Sequence, residues 1–158
     1  MAATDIDGDG DADVIASLEA HGYGLSWFEQ SPSGFVEHLI AAGAPDAGGI
    51  AIHEPHALAV ADVDGDGDPD IVTGERFWGH IPAGMPDFAA PALLYWFELV
   101  RTAGGVAYIP HLIDDASGVG TQVTVGDVTA DGLADILIAN KKGAFVFVHE
   151  LLTDPIDP

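Results

Sequence analysis

The stretch Asp5-Ile6-Asp7-Gly8-Asp9-Gly10-Asp11-Ala12-Asp13 decides the reading, because it recurs. Asp62-Val63-Asp64-Gly65-Asp66-Gly67-Asp68-Pro69-Asp70 repeats it, and Asp127-Val128-Thr129-Ala130-Asp131-Gly132-Leu133-Ala134-Asp135 repeats it with losses. Carboxylates at the first, third and fifth positions of a tight loop converge on one point. The seventh position turns a main-chain carbonyl inward, and a glycine at the sixth permits the sharp bend. An EF-hand closes its site with a bidentate Glu at the twelfth position, but here that place holds Ala16, Thr73 and Ile138. Asp13, Asp70 and Asp135, at the ninth position, are left to close it.

All these donors are hard oxygens, with no His or Cys inside the loops, which favours Ca²⁺ over zinc or copper. The expected ligand set is therefore Asp5, Asp7, Asp9, Asp11 and Asp13; Asp62, Asp64, Asp66, Asp68 and Asp70; and Asp127, Thr129, Asp131, Leu133 and Asp135. Two loops are strong and the third is weakened by Thr129. An ion-free Asp/Gly turn is the alternative, but it would crowd unpaired carboxylates that repel one another.

The rest of the composition agrees with a folded acidic module. The 158 residues carry 4 Lys+Arg against 26 Asp+Glu, a formal charge of −22, and 13 of those acids fall in the three loops. So few cations cannot neutralise a run of phosphates or hold an anionic bilayer, so no nucleic acid is expected as a partner. A hydrophobic fraction of 48% with 20 glycines suits a turn-rich globular chain rather than an acidic disordered tail. No apolar run reaches the ~18 residues of a membrane span. No basic-then-apolar leader follows Met1, so any export signal is expected to lie outside this sequence. With no cysteine, redox logic says nothing of the compartment.

Around the loops the pattern is short and β-like. An alternating run precedes the loop (Ala57–Ala61, Thr121–Val125) and another follows it (Val14–Ala16, Ile71–Thr73, Ile136–Ala139). A third, aromatic run comes next (Leu25–Glu29, Leu94–Glu98, Ala144–Val148), and a fourth closes two of the repeats (Phe35–Ile40, Tyr108–Ile113). No segment offers a capped helix. The loops start 57 and 65 residues apart, so the chain reads as one all-β repeat domain over residues 1–158. It consists of β-propeller blades of four antiparallel strands. About three blades are expected, near 1–42, 56–114 and 120–150, with 151–158 as a C-terminal tail.

In this order of elements, the D-x-D-x-D-G-x-x-D loop between first and second strands resembles the FG-GAP/VCBS family of calcium-binding β-propellers, to whose broad group the integrin α head belongs. The resemblance implies a radial fold, calcium in the loops and an extracellular or cell-surface location. It implies no single activity. Three blades do not close a ring, so the chain is expected to be part of a larger propeller or one share of an oligomeric ring. The expected partners are further blades of the same longer chain or of homo-oligomer copies, and a protein or carbohydrate ligand.

All three ion loops are first–second turns and so share one end of the blades. The opposite end collects His53-Glu54-Pro55-His56, Gly74-Glu75-Arg76-Phe77-Trp78-Gly79-His80, the residues Glu19, His21 and Tyr23, and Asn140-Lys141-Lys142. An insertion over residues 81–91 is placed to fold over that end. His53, His56, Arg76 and His80 are the candidates for acid/base work on a carbohydrate, as in a lyase or epimerase, and this is the alternative to a non-catalytic binding or assembly module. The bland reading makes them loop residues bonded to carbonyls and a surface ion pair. His38 and His111, each in a His-Leu-Ile string, and Trp27 and Trp96 recur at matching places and read as blade packing. Adaptation to high salt would also explain abundant Asp, but not its fixed spacing.

Overall fold

The computed structural model describes residues 1–19, 22–41, 50–76 and 91–151. These form eleven strands and no helix. The first sheet orders β1 (Ala2–Thr4), β2 (Asp13–Ser17), β3 (Leu25–Ser31) and β4 (Gly34–Ala41). The second orders β5 (Leu58–Ala61), β6 (Asp70–Gly74), β7 (Leu94–Thr102) and β8 (Gly105–Asp114). The third contains β9 (Val123–Gly126), β10 (Asp135–Asn140) and β11 (Gly143–Phe147). Every pairing is antiparallel between sequence neighbours, which makes each sheet a meander and the whole an all-β set of three propeller-like blades. Among the described residues the third blade has three strands.

Strand alternation explains how the blades stack. Successive side chains of a strand point to opposite faces, and the middle blade is buried on both. Ile71 belongs to the core shared with blade 1, whereas its neighbour Val72 belongs to the core shared with blade 3. Along β7, Tyr95, Phe97 and Leu99 face blade 1, while Leu94 and Trp96 face blade 3. β6 is consequently buried along its whole length, polar Asp70 and Thr73 included. Thr73 satisfies its hydroxyl by donating to the Ala57 carbonyl at 2.6 Å.

The repeat extends to side chains. Trp27 and His38 are direct cross-strand partners on β3 and β4, as Trp96 and His111 are on β7 and β8. The rings stack at 4.3 and 4.5 Å. Each imidazole Nε2 then meets a carboxylate two residues along from the tryptophan, Glu29 at 2.8 Å and Glu98 at 2.7 Å. Both trios lie on the face turned toward the next blade. In blade 3 the corresponding residues Val146 and Val148 are exposed.

Candidate metal centre

Each ion loop is the hairpin turn between the first and second strands of its blade, and its aspartates first organise the backbone. The leading carboxylate takes two main-chain N–H groups: Asp5 from Gly8 (2.7 Å) and Gly10 (3.1 Å), Asp62 from Gly65 (2.7 Å) and Gly67 (3.0 Å). The sixth-position glycines that allow this hold φ of 97° and 93°, with Gly132 at 88° in the third loop. Side chains with a Cβ rarely adopt that conformation.

The ninth-position aspartates do something the sequence did not declare. Asp13, Asp70 and Asp135 are all buried. One oxygen accepts the N–H of the loop's second residue (Ile6 at 2.9 Å, Val63 at 3.0 Å, Val128 at 2.8 Å). The other accepts an N–H at or just beyond the third strand (Gln30 at 2.8 Å, Leu99 at 2.8 Å, His149 at 2.9 Å). A single carboxylate thus ties the loop and the second and third strands of each blade together.

Two of the three loops then gather a hard-oxygen donor set. Oxygens of Asp5, Asp7 and Asp13 lie within 4.8 Å of one another, as do those of Asp62, Asp64 and Asp70. These clusters can hold a metal ion, and three carboxylates suit a hard divalent cation. Asp9 and Asp66, expected as ligands, each accept the N–H two residues on, both at 2.8 Å, and lie outside those groups. Asp11, like Leu133, stands at the seventh position, where this loop type offers its carbonyl. Burial pushes Asp7 and Asp70 above the ordinary carboxylate range, for Asp70 against the N–H groups of Leu99 and Val63. A bound cation would reverse that by favouring the ionised form.

The third loop differs physically. Thr129 stands where Asp7 and Asp64 stand, and its N–H also donates to Asp135 at 3.3 Å. The N–H groups of His149 and Val128 hold the Asp135 carboxyl below its usual range. Asp127 accepts from Gly132 at 2.9 Å and Asp131 from Leu133 at 2.9 Å, but no three-carboxylate group forms among the described residues here. Ala130 is forced to a φ of 61° where Gly8 and Gly65 hold 84° and 85°.

Arg101 is a residue at the loops that sequence reasoning missed. It donates from Nε to the Ile6 carbonyl at 2.6 Å, from Nη2 to the Asp5 carbonyl at 3.1 Å, and from Nη1 to the Asp68 carboxylate. It therefore joins loop one to loop two. The signal was present: the run from Trp96 to the turn is longer than the run from Trp27.

At the opposite end the structure brings His53, His56 and Arg76 into one neighbourhood. Arg76 Nη1 lies 3.1 Å from His56 Nε2, and the His53 N–H donates to Glu75 at 3.2 Å. Tyr23 bridges to His53 and packs its ring 4.9 Å away. Glu54 is buried at a φ of 47°. Asn140 and Lys142 clasp the carbonyls of Ser117 and Ala116. His80, with His21, Trp78 and residues 81–90 of the insertion, lies outside the described residues.

Compared with known families, residues 5–73 match the FG-GAP-like repeat, a stretch that contains both three-carboxylate loops and strands β2 to β5. No curated protein matches the chain.

Proposed function

The chain carries the FG-GAP-like repeat over residues 5–73, and from that premise we propose that it is a calcium-stapled β-propeller module for extracellular binding or assembly. The observation that carries the proposal is the pair of three-carboxylate groups, Asp5/Asp7/Asp13 and Asp62/Asp64/Asp70. In a chain of net charge −22, carboxylates packed this closely repel one another unless a cation sits among them. Loops of this kind in extracellular modules bind Ca²⁺ at ~10⁻⁴–10⁻³ M, which suits millimolar Ca²⁺ outside the cell.

The exposed face of blade 3 bearing Val146 and Val148 supports assembly with further blades, whether from a longer chain or from another copy. Apolar faces of this kind are normally covered. The His56–Arg76 contact supports a second reading, a carbohydrate-directed acid/base site at the opposite end. Turnover of uronic-acid oligosaccharides abolished by His56→Ala would favour it.

The main proposal is tested by thermal unfolding. At about 2 mM Ca²⁺ two such sites would contribute about 1–4 kcal/mol, which is ~4–11 °C in Tm for a chain of this length. A melting curve identical in Ca²⁺ and EDTA would refute it.

A further inference from the structure

Hairpin β7–β8 is two residues longer in each strand than β3–β4, Leu94–Thr102 with Gly105–Asp114 against Leu25–Ser31 with Gly34–Ala41. Leu99 and Gln30 are equivalent, because the N–H of each donates to the ninth-position aspartate of its own blade. Arg101 therefore falls in the extension, which carries its guanidinium across the blade boundary. Its acceptors are the carbonyls of Asp5 and Ile6, the first two residues of loop one, and the carboxylate of Asp68, the seventh residue of loop two. The seventh position offers its carbonyl in this loop type, so the side chain of Asp68 is left for the arginine. A cleft of about 290 Å³ lies between the two loops, with Asp5, Asp62, Asp68 and Arg101 on its walls. The other three basic residues, Arg76, Lys141 and Lys142, are at the far end of the blades.

We propose that Arg101 is a positioning residue that couples the two cation loops, so that filling one raises the affinity of the other. The proposal rests on the calcium reading above. Ordering Asp68 fixes the guanidinium, and the fixed guanidinium holds the Asp5 main chain, and with it the leading carboxylate of loop one. The second loop to fill then has less freedom to lose. The rigid fork of arginine is what allows one side chain to hold three acceptors. As a positive charge, Arg101 by itself weakens both loops; coupling is separate from that effect. The Arg101 and Asp68 side chains are 30% and 26% exposed, so solvent screening places the coupling near the lower end of the usual range, about fivefold.

The test is Ca²⁺ calorimetry on the full chain as wild type, Asp64→Asn, Arg101→Met and the double variant, with circular dichroism to verify folding. Asp64→Asn silences loop two. The affinity of loop one should then fall about fivefold in the wild-type background and stay unchanged in the Arg101→Met background. Arg101→Lys, which keeps the charge without the fork, should behave as Arg101→Met, and Arg101→Gln serves if Arg101→Met does not fold. An equal fall in both backgrounds, or none in the wild type, overturns the coupling while leaving calcium binding intact. Absence of Ca²⁺ uptake by the wild type overturns the calcium reading and the coupling with it.

Discussion

Replacing Asp70 by alanine should break the middle blade even without any metal. Its carboxylate is 1% exposed and accepts the Val63 and Leu99 N–H groups at 3.0 and 2.8 Å. Alanine leaves both donors buried without an acceptor, at about 1–3 kcal/mol each. Part of that is returned, because burial already pushes the Asp70 carboxyl above its usual range and disfavours its charge. The net loss should be about 3 kcal/mol. Asp70→Asn keeps one acceptor oxygen and should lose about half as much. The assay is urea unfolding at neutral pH in EDTA, which separates the loss of the buckle from the loss of a cation ligand. Asp66→Ala is the control: its exposed carboxylate meets only the N–H of Asp68, so its effect should stay within about 0.5 kcal/mol. If Asp70→Ala in EDTA loses no more than this control, the ninth-position aspartate is a cation ligand and nothing else, and the buckle reasoning fails.

Ala130→Gly should stabilise the chain by about 0.5–1 kcal/mol, since Ala130 is held at a φ of 61° that glycine adopts without strain; a lower urea midpoint would contradict this. Gly74→Ala should destabilise by about 1–3 kcal/mol, because a Cβ there would meet the Leu93 carbonyl oxygen at 2.1 Å, and an unchanged melting temperature would show that β7 yields. Asp114 is held below its usual 3.8 by Ser117, side chain and main chain, and by the Ala116 N–H. A lowered carboxylate contributes stability above 3.8 that is lost as pH falls through its folded value. Asp114→Asn should therefore be less stable at pH 7 in EDTA and show a shallower decline in acid, whereas a decline parallel to wild type would count against that linkage.

The fold was readable because both of its signals are local. The loop motif fixes where first and second strands meet, and the alternating runs that follow fix the remaining strands of the meander. The paired Trp27/His38 and Trp96/His111 positions were also recognisable as packing, being repeated at equal offsets. What escaped was whatever depends on atoms from different strands. Asp13, Asp70 and Asp135 looked like ligands that close a loop, yet each also accepts the N–H of a residue 14 to 29 positions away. Spacing also could not show that Asp9 and Asp66 each turn one oxygen back onto the main chain. Arg101 acts on Asp5, 96 residues earlier, and only the longer hairpin hinted at its reach. The weakness of the third loop was visible in Thr129, but the extra N–H that Thr129 gives Asp135 was not.

The central claim is that two loops of this chain each hold one hard divalent cation. Its most direct test is the stoichiometry of Ca²⁺ bound to the purified full chain by calorimetry, repeated for Asp7→Asn and Asp64→Asn. Two ions per chain, falling by one in each variant, are predicted. A wild type that binds none, or variants that bind as the wild type does, would contradict the claim.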